Sequence, residues 1–193
     1  MTVTVGNTAP TATITAPASG TTWRVGDTIS FSGSASDAQD GTLPASSLSW
    51  QLVQQHCPSN CHQHLVQTFS GVAAGSFVAP DHEYPSYLEL RLTATDSGGL
   101  THSVTRRLDP RTVVLTFQTS PGGLQLTVGS TTSVATFSRT VIVGSTNSIS
   151  APSPQTKSRK TYVFSSWSDG GAATHNIVAP ATATTYTARF RNQ

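Results

Sequence analysis

Short runs that alternate between apolar and polar residues fill the first half of the chain. The clearest is residues 87–93 (YLELRLT), where leucines at 88, 90 and 92 alternate with polar residues. An antiparallel strand with one buried face and one wetted face has this period of two. The predicted strands of this half cover residues 11–14, 28–31, 48–53, 65–69, 75–78, 87–93 and 102–108. Short strands at this spacing predict a β-sandwich.

The strand pattern breaks at residues 108–111 (LDPR), where a proline follows a polar residue. Such a pair interrupts regular structure, so we place a domain boundary there. Predicted strands then resume over residues 113–117, 124–128, 139–143, 148–150, 161–165 and 185–190. The 193 residues suit two domains of about 100 residues each. We therefore predict an all-β chain of two tandem β-sandwich domains, residues 1–109 and a smaller domain at residues 110–193.

Composition and charge exclude several classes of partner. Charged residues make up only 10% of the chain and the formal net charge is +2, so the broad basic face of a nucleic-acid-binding protein is missing. No apolar run approaches the ~20 residues that a transmembrane helix needs. We expect neither a nucleic-acid partner nor a membrane span.

Two cysteines, Cys57 and Cys61, flank a three-residue loop. A disulfide closing so short a loop contributes roughly 2 kcal/mol by the chain-entropy estimate, and it persists only in an oxidising compartment. We predict a Cys57–Cys61 disulfide and a secreted, extracellular location. The alternative is that both cysteines act as thiolate metal ligands beside His62.

Sequence motifs in the first half resemble a known type of module. They are residues 7–10 (NTAP), residues 33–41 (GSASDAQDG) followed by Trp50, and residues 92–100 (LTATDSGGL). This segment resembles a PKD-like, immunoglobulin-type module. Residues 56–64 (HCPSNCHQH) and 79–84 (APDHEY) are also similar to the domain appended to secreted bacterial glucose/sorbosone dehydrogenases, the pyrroloquinoline-quinone (PQQ) type of sugar oxidase. The resemblance covers roughly residues 7–108.

The second half resembles a different small module. Residues 162–171 (YVFSSWSDGG) and 183–190 (ATTYTARF) are similar to a β repeat at the C-termini of many bacterial surface and secreted proteins. Nothing in the chain resembles the propeller that carries sugar oxidation in such dehydrogenases. We therefore expect a catalytic or anchoring domain upstream, in a larger chain.

Three carboxylates predict a calcium site. Asp37 and Asp40 lie in an acidic turn, and Asp96 follows the long strand at residues 87–93, so both turns can meet at one end of a sandwich. Ca²⁺ takes six to eight oxygen ligands at about 2.3 to 2.6 Å. The resemblance to PKD-like modules implies the same calcium site. The alternative is that the three side chains only cap their turns.

Histidines cluster along the same half of the chain. His62 and His64 are two residues apart, so on a strand they share a face, and imidazoles presented in this way bind Zn²⁺ or Cu²⁺ at about 2.0 Å. The predicted transition-metal ligands are His62, His64 and His82, with Asp81 or Glu83 completing the shell. The alternative is that these histidines are polar surface residues of an exposed loop.

Aromatic residues beside turns predict a carbohydrate site, because an exposed ring stacks on the apolar face of a sugar. Trp50 and Trp167 are expected in the two cores, whereas Trp23, Tyr84 and Tyr87 are expected to be exposed. The predicted ligand-binding residues are Trp23, His56, Asp81, Glu83, Tyr84 and Tyr87. The alternative is that isolated exposed aromatics carry no function.

No catalytic motif is present: the chain lacks a Gly-x-Ser-x-Gly elbow, a His-Glu-x-x-His pair and a phosphate loop. We predict a non-enzymatic accessory module that binds polysaccharide or cell-surface glycan and spaces an attached enzyme. Two alternatives stay open, a purely structural calcium-stabilised spacer and a metal-dependent enzyme or metal-binding domain that uses the histidine cluster.

Overall fold

The computed structural model of the chain describes residues 6–57 and 59–193. Across these residues the regular structure is β-strand, apart from one turn of 3₁₀ helix at Ala45–Ser47. The predicted all-β class is confirmed. Nowhere in the described ranges does a helix have the length and apolar character needed to cross a membrane.

By its internal contacts the chain divides into two compact units. The first comprises the described residues up to Pro80 together with Pro85–Pro110. The second comprises Asp81–Tyr84 and Arg111–Gln193. Pro110 therefore ends the first unit, and four residues that lie inside the first half of the sequence group with the second unit.

The first unit is a sandwich of two sheets. One sheet has the order β1-β3-β4 with β7 also pairing β3, and the other has the order β2-β9-β8-β5-β6. All pairs are antiparallel except β2 with β9. The strands are β1 (Thr11–Ala16), β2 (Thr22–Trp23), β3 (Thr28–Asp37), β4 (Gly41–Thr42), β5 (Leu48–His56), β6 (His62–Ser70), β7 (Ala74–Val78), β8 (Ser86–Thr95) and β9 (Thr101–Pro110).

Strand β8 shows why the alternating pattern forms this sheet. Leu88, Leu90 and Leu92 are completely buried, and each fully buried leucine contributes roughly 1.5–3 kcal/mol. The residues between them face outward, where Arg91 and Glu89 form an ion pair with 2.7 Å between nitrogen and oxygen. The burial of this strand follows its sequence alternation residue by residue.

Aromatic rings fill the centre of the first core. Phe31 packs against Trp50 and Phe69, with ring centroids 4.7 and 4.8 Å away. Trp50 is fully buried, and its indole N–H donates to the carbonyl oxygen of Val72 at 2.9 Å. The buried polar atom of the indole is thereby satisfied, as a core tryptophan requires.

The second unit is also built from two sheets. Their orders are β13-β10-β18-β16-β15 and β12-β11-β14-β17, and β10 pairs with β18 in parallel. The strands are β10 (Thr112–Ser120), β11 (Gln125–Val128), β12 (Thr131–Val134), β13 (Phe137–Ile142), β14 (Thr146–Ser150), β15 (Gln155–Lys157), β16 (Lys160–Trp167), β17 (Thr174–Val178) and β18 (Thr184–Asn192). Its own core includes Leu115, Phe117, Leu126, Ile149 and Trp167.

The turn after Trp167 is held by hydrogen bonds. The indole of Trp167 donates to the carbonyl oxygen of Ala173 at 3.2 Å. His175 places Nε2 2.9 Å from an Asp169 carboxylate oxygen and Nδ1 2.8 Å from the carbonyl oxygen of Ala172. Both ring nitrogens therefore lie within hydrogen-bonding distance of an oxygen, which holds the imidazole in the turn.

Gly33 leaves no room for a methyl group, so Gly33→Ala should destabilise the first unit. A Cβ there would lie 2.7 Å from the carbonyl oxygen of Thr13 and 2.8 Å from side-chain atoms of Leu92 and Trp50. Overpacking of this kind costs about 1–3 kcal/mol. Urea unfolding measures the loss, with Gly6→Ala as the control, since no atom of the described residues other than its chain neighbours lies within 4 Å of the added Cβ. Equal stability of the two variants would contradict the packing described here.

The Asp169 turn should make the second unit sensitive to acid. Partial burial raises the pKa of Asp169, but hydrogen bonds from His175 and Gly171 outweigh it and leave the pKa below the usual value. A lowered folded pKa contributes stability above the unfolded value that is lost as pH falls through the folded value. Acid titration of unfolding, followed on the indole NMR signal of Trp167, should therefore show a smaller loss for Asp169→Asn. The same acid dependence in both proteins would show that this carboxylate contributes nothing.

Candidate functional site

Three histidines come together where β5 and β6 form a hairpin. His56 is the last residue of β5, His62 is the first residue of β6, and the antiparallel register pairs them directly. His64 follows His62 on the same face of β6, because strand side chains alternate. The ring centroids of His56 and His62 are 4.9 Å apart, and those of His62 and His64 are 4.8 Å apart.

The histidine cluster, defined here as His56, His62 and His64, offers one nitrogen from each ring, and these atoms lie within 4.8 Å of one another. His56 is buried, with 7% of its surface exposed, whereas His62 and His64 are exposed on an edge strand. Among the described residues, this cluster is the group of three or more histidine, cysteine or acidic side chains close enough together to hold a metal ion. The arrangement gives one fixed and two accessible nitrogen donors.

The cluster differs from the predicted metal ligands in one member. His82 was expected beside His62 and His64, but the group found among the described residues holds His56 in its place. The Nδ1 of His82 is 3.0 Å from the carbonyl oxygen of Glu83. His56 takes the third position because the hairpin sets it opposite His62. In the sequence, His56 directly precedes Cys57 and His62 directly follows Cys61. This symmetry about the cysteine pair could have identified His56 as the third member of the cluster.

The predicted disulfide is present between Cys57 and Cys61, with 4.0 Å between their Cα atoms. It joins the two strands one residue beyond the paired His56 and His62. The backbone N–H of Cys57 also donates to the carbonyl oxygen of Pro85 at 3.0 Å. With both sulfurs in the disulfide, the cysteines are not thiolate ligands in this structure.

The three predicted calcium ligands accept hydrogen bonds from the chain itself. Both Asp96 oxygens accept, one from the Asn7 amide at 2.9 Å and one from the Leu100 backbone at 2.8 Å. Asp37 Oδ1 accepts from two backbone N–H groups of its own turn, while its buried Oδ2 has no hydrogen-bond partner within residues 6–57 and 59–193. These contacts match the turn-capping alternative, and the calcium site stays a prediction.

Asp40 joins the two turns. Its two carboxylate oxygens accept from the backbone N–H and the hydroxyl of Ser97, each at 2.8 Å. Hydrogen bonds from the Ser97 backbone and then its side chain lower the pKa of Asp40 below the usual value. The turns that carry Asp40 and Asp96 therefore meet at one end of the sandwich, as the sequence indicated.

The aromatic residues predicted to bind sugar differ in exposure. Trp23 was expected at the surface, and this is wrong: its side chain is completely buried and its indole donates to the carbonyl oxygen of Leu108 at 2.9 Å. The two-residue strand β2 pairs with β9 and carries the ring inward. Tyr87 is half-buried under the guanidinium of Arg107, 3.7 Å from its ring centroid. Tyr84 is 44% exposed.

Tyr84 lines an open groove of about 440 Å³ in the second unit. Asp81 is also in the wall, and its carboxylate accepts a hydrogen bond from the backbone N–H of Thr146 at 3.0 Å. Other polar lining residues are His82, Glu83, Arg139 and Asn147. The groove thus combines one exposed aromatic ring with charged and amide side chains.

Comparison with known proteins supports the immunoglobulin-like character of the first unit. Residues 10–44 match the family described as bacterial Ig domain. No curated protein matches the chain. Among solved structures the chain is similar to BcpA, the major pilin subunit of Bacillus cereus, with a TM-score of 0.33 and 10% identity over 97% of this chain and 71% of the pilin. The bacterial Ig match and the two-sheet fold agree on an immunoglobulin-like β-sandwich.

Asp96→Ala should destabilise the first unit whether or not calcium is present. The carboxylate is buried, and its loss removes two charge-assisted hydrogen bonds, from the Asn7 amide and the Leu100 N–H, at about 1.5–3 kcal/mol. Unfolding in calcium and in chelator measures the loss. Asp109→Ala, which removes only an exposed ion pair to Arg107, is the control and should cost less than about 1 kcal/mol. An Asp96 effect that appears only with calcium would instead favour a cation site.

Proposed function

We propose that the chain is a non-catalytic accessory part of an extracellular protein, in which immunoglobulin-like β-sandwiches hold and space an attached domain and bind carbohydrate. The Tyr84 groove is the observation that carries the binding half of this proposal. The disulfide favours an oxidising, extracellular compartment.

The groove suits a sugar for two physical reasons. The exposed ring of Tyr84 offers an apolar face for stacking on a sugar ring. Asp81, Arg139 and Asn147 border the same groove and supply hydrogen-bond acceptors and donors for hydroxyl groups.

The attached domain is proposed from the sequence. Residues 7–108 resemble the module appended to secreted sugar dehydrogenases, which makes a sugar-oxidising enzyme the first candidate for the rest of a larger chain. A module that binds polysaccharide would keep such an enzyme near its source of sugar.

Retention on insoluble polysaccharide tests the binding half. The full chain should sediment with at least one of cellulose, chitin and bacterial peptidoglycan, and Tyr84→Ala should weaken retention about two- to twelvefold, since stacking of one ring is worth about 0.5–1.5 kcal/mol. Tyr84→Phe keeps the ring and should be retained nearly as well as the wild type.

Leu65→Ala is the control for exposed apolar surface, because Leu65 is 59% exposed in the first unit and should not affect retention. No retention on any of the three polymers, or equal retention of Tyr84→Ala and wild type, would contradict carbohydrate binding through this groove.

A further inference from the structure

The histidine cluster occupies the inner face of a sheet. The even-numbered residues of β5 from Leu48 onward are buried, and His56 continues that series at its end. Residues paired across an antiparallel ladder project to the same side, so His62, opposite His56, shares this face. His64 stands opposite Gln54 on the same face. The apolar face of the sheet therefore ends in three imidazoles, where further core residues would be expected.

Buried polar groups surround the same position. Gln54 is 1% exposed and Ser86 is 4% exposed, and Ser86 pairs with His56 across β5 and β8. The side-chain amide oxygen of Gln54 and the hydroxyl oxygen of Ser86 have no hydrogen-bond partner among the described residues. A buried polar atom left in this state costs about 1–3 kcal/mol. Such atoms next to three histidines indicate a polar site with a bound group rather than an extension of the core.

The disulfide fixes the spacing of the donors. Cys57 and Cys61 link the strands directly beside the His56–His62 pair, so the ends of β5 and β6 cannot separate. Less conformational entropy is then lost when a ligand binds, which is the usual benefit of a rigid site. His56 is held by burial, whereas His62 and His64 are exposed and can rotate about their side-chain bonds.

The donor distances suit a small metal ion after a modest rotation. Zinc–nitrogen bonds of about 2.0–2.1 Å in a tetrahedral site place two donor nitrogens about 3.3 Å apart. The three nitrogens already lie within 4.8 Å of one another. Rotation of the exposed His62 and His64 side chains is enough to bring them to the separation that the metal requires. Three neutral nitrogen donors favour Cu²⁺ and Zn²⁺ and do not suit Ca²⁺, which takes oxygen ligands.

We propose that His56, His62 and His64 form a binding site for one divalent transition-metal ion, with the affinity for Cu²⁺ above that for Zn²⁺. The remaining coordination positions face solvent on the side of His62 and His64, where water or an external ligand completes the shell. The site does not depend on carbohydrate binding, because the groove of the second unit shares no residue with it.

Equilibrium metal binding by the tag-free, disulfide-intact chain tests the proposal. After removal of metal with a chelator, titration with CuCl₂ and with ZnCl₂ should each give one ion per chain by calorimetry, with CaCl₂ giving no competition. His62→Ala and His64→Ala should each weaken binding more than tenfold, because each removes one of three ligands. Electron paramagnetic resonance of the Cu²⁺ form should show nitrogen ligands in wild type and fewer in either variant.

His82→Ala is the matched control, since it removes a histidine that is not a member of the cluster, and it should leave both affinity and stoichiometry unchanged. His56→Gln tests the buried ligand, and its melting temperature without metal shows whether it is folded. If the wild type binds no metal, or if His82→Ala weakens binding as much as His62→Ala, the proposal is wrong.

Discussion

The pairing of β5 with its neighbours is the constraint on which the first unit depends. One edge of β5 pairs with β8 and the other with β6. The inward side chains of β5 therefore face the core along the strand and the histidine cluster at its end. Trp50, near the start of β5, packs in the aromatic centre, and His56, at its end, faces His62. Strand β5 thus supplies both the rigidity of the core and the placement of the histidines, and the Cys57–Cys61 bond links its end to β6.

Period-two patterns were enough to predict the strands with strong alternation. The run at residues 87–93 became the centre of β8 because each leucine faces the core. Strands with weaker patterns were missed: β12 (Thr131–Val134) has no buried residue, and β2 (Thr22–Trp23) is too short to show a period. Backbone pairing with a neighbour forms such strands, and a neighbour is not visible in the local sequence.

The same limit explains the errors in the candidate site. The exposure of Trp23 was judged from the turns beside it, but its burial depends on β9, more than 80 residues away, which accepts its indole hydrogen bond through Leu108. His82 was predicted as the third ligand, whereas the register of β5 and β6 sets His56 opposite His62. Spacing within a strand correctly placed His62 and His64 on one face, because that relation is local.

The central claim is that the hairpin gathers three of the six histidines into one metal site. Long-range nitrogen-15 NMR of the imidazole rings during a zinc titration tests it most directly, because every histidine reports separately. The account predicts that the ring signals of His56, His62 and His64 shift together and saturate at one equivalent, while those of His82, His102 and His175 stay in place. Shifts that begin at His82 or His175, or that spread over all the rings without saturating, would contradict it.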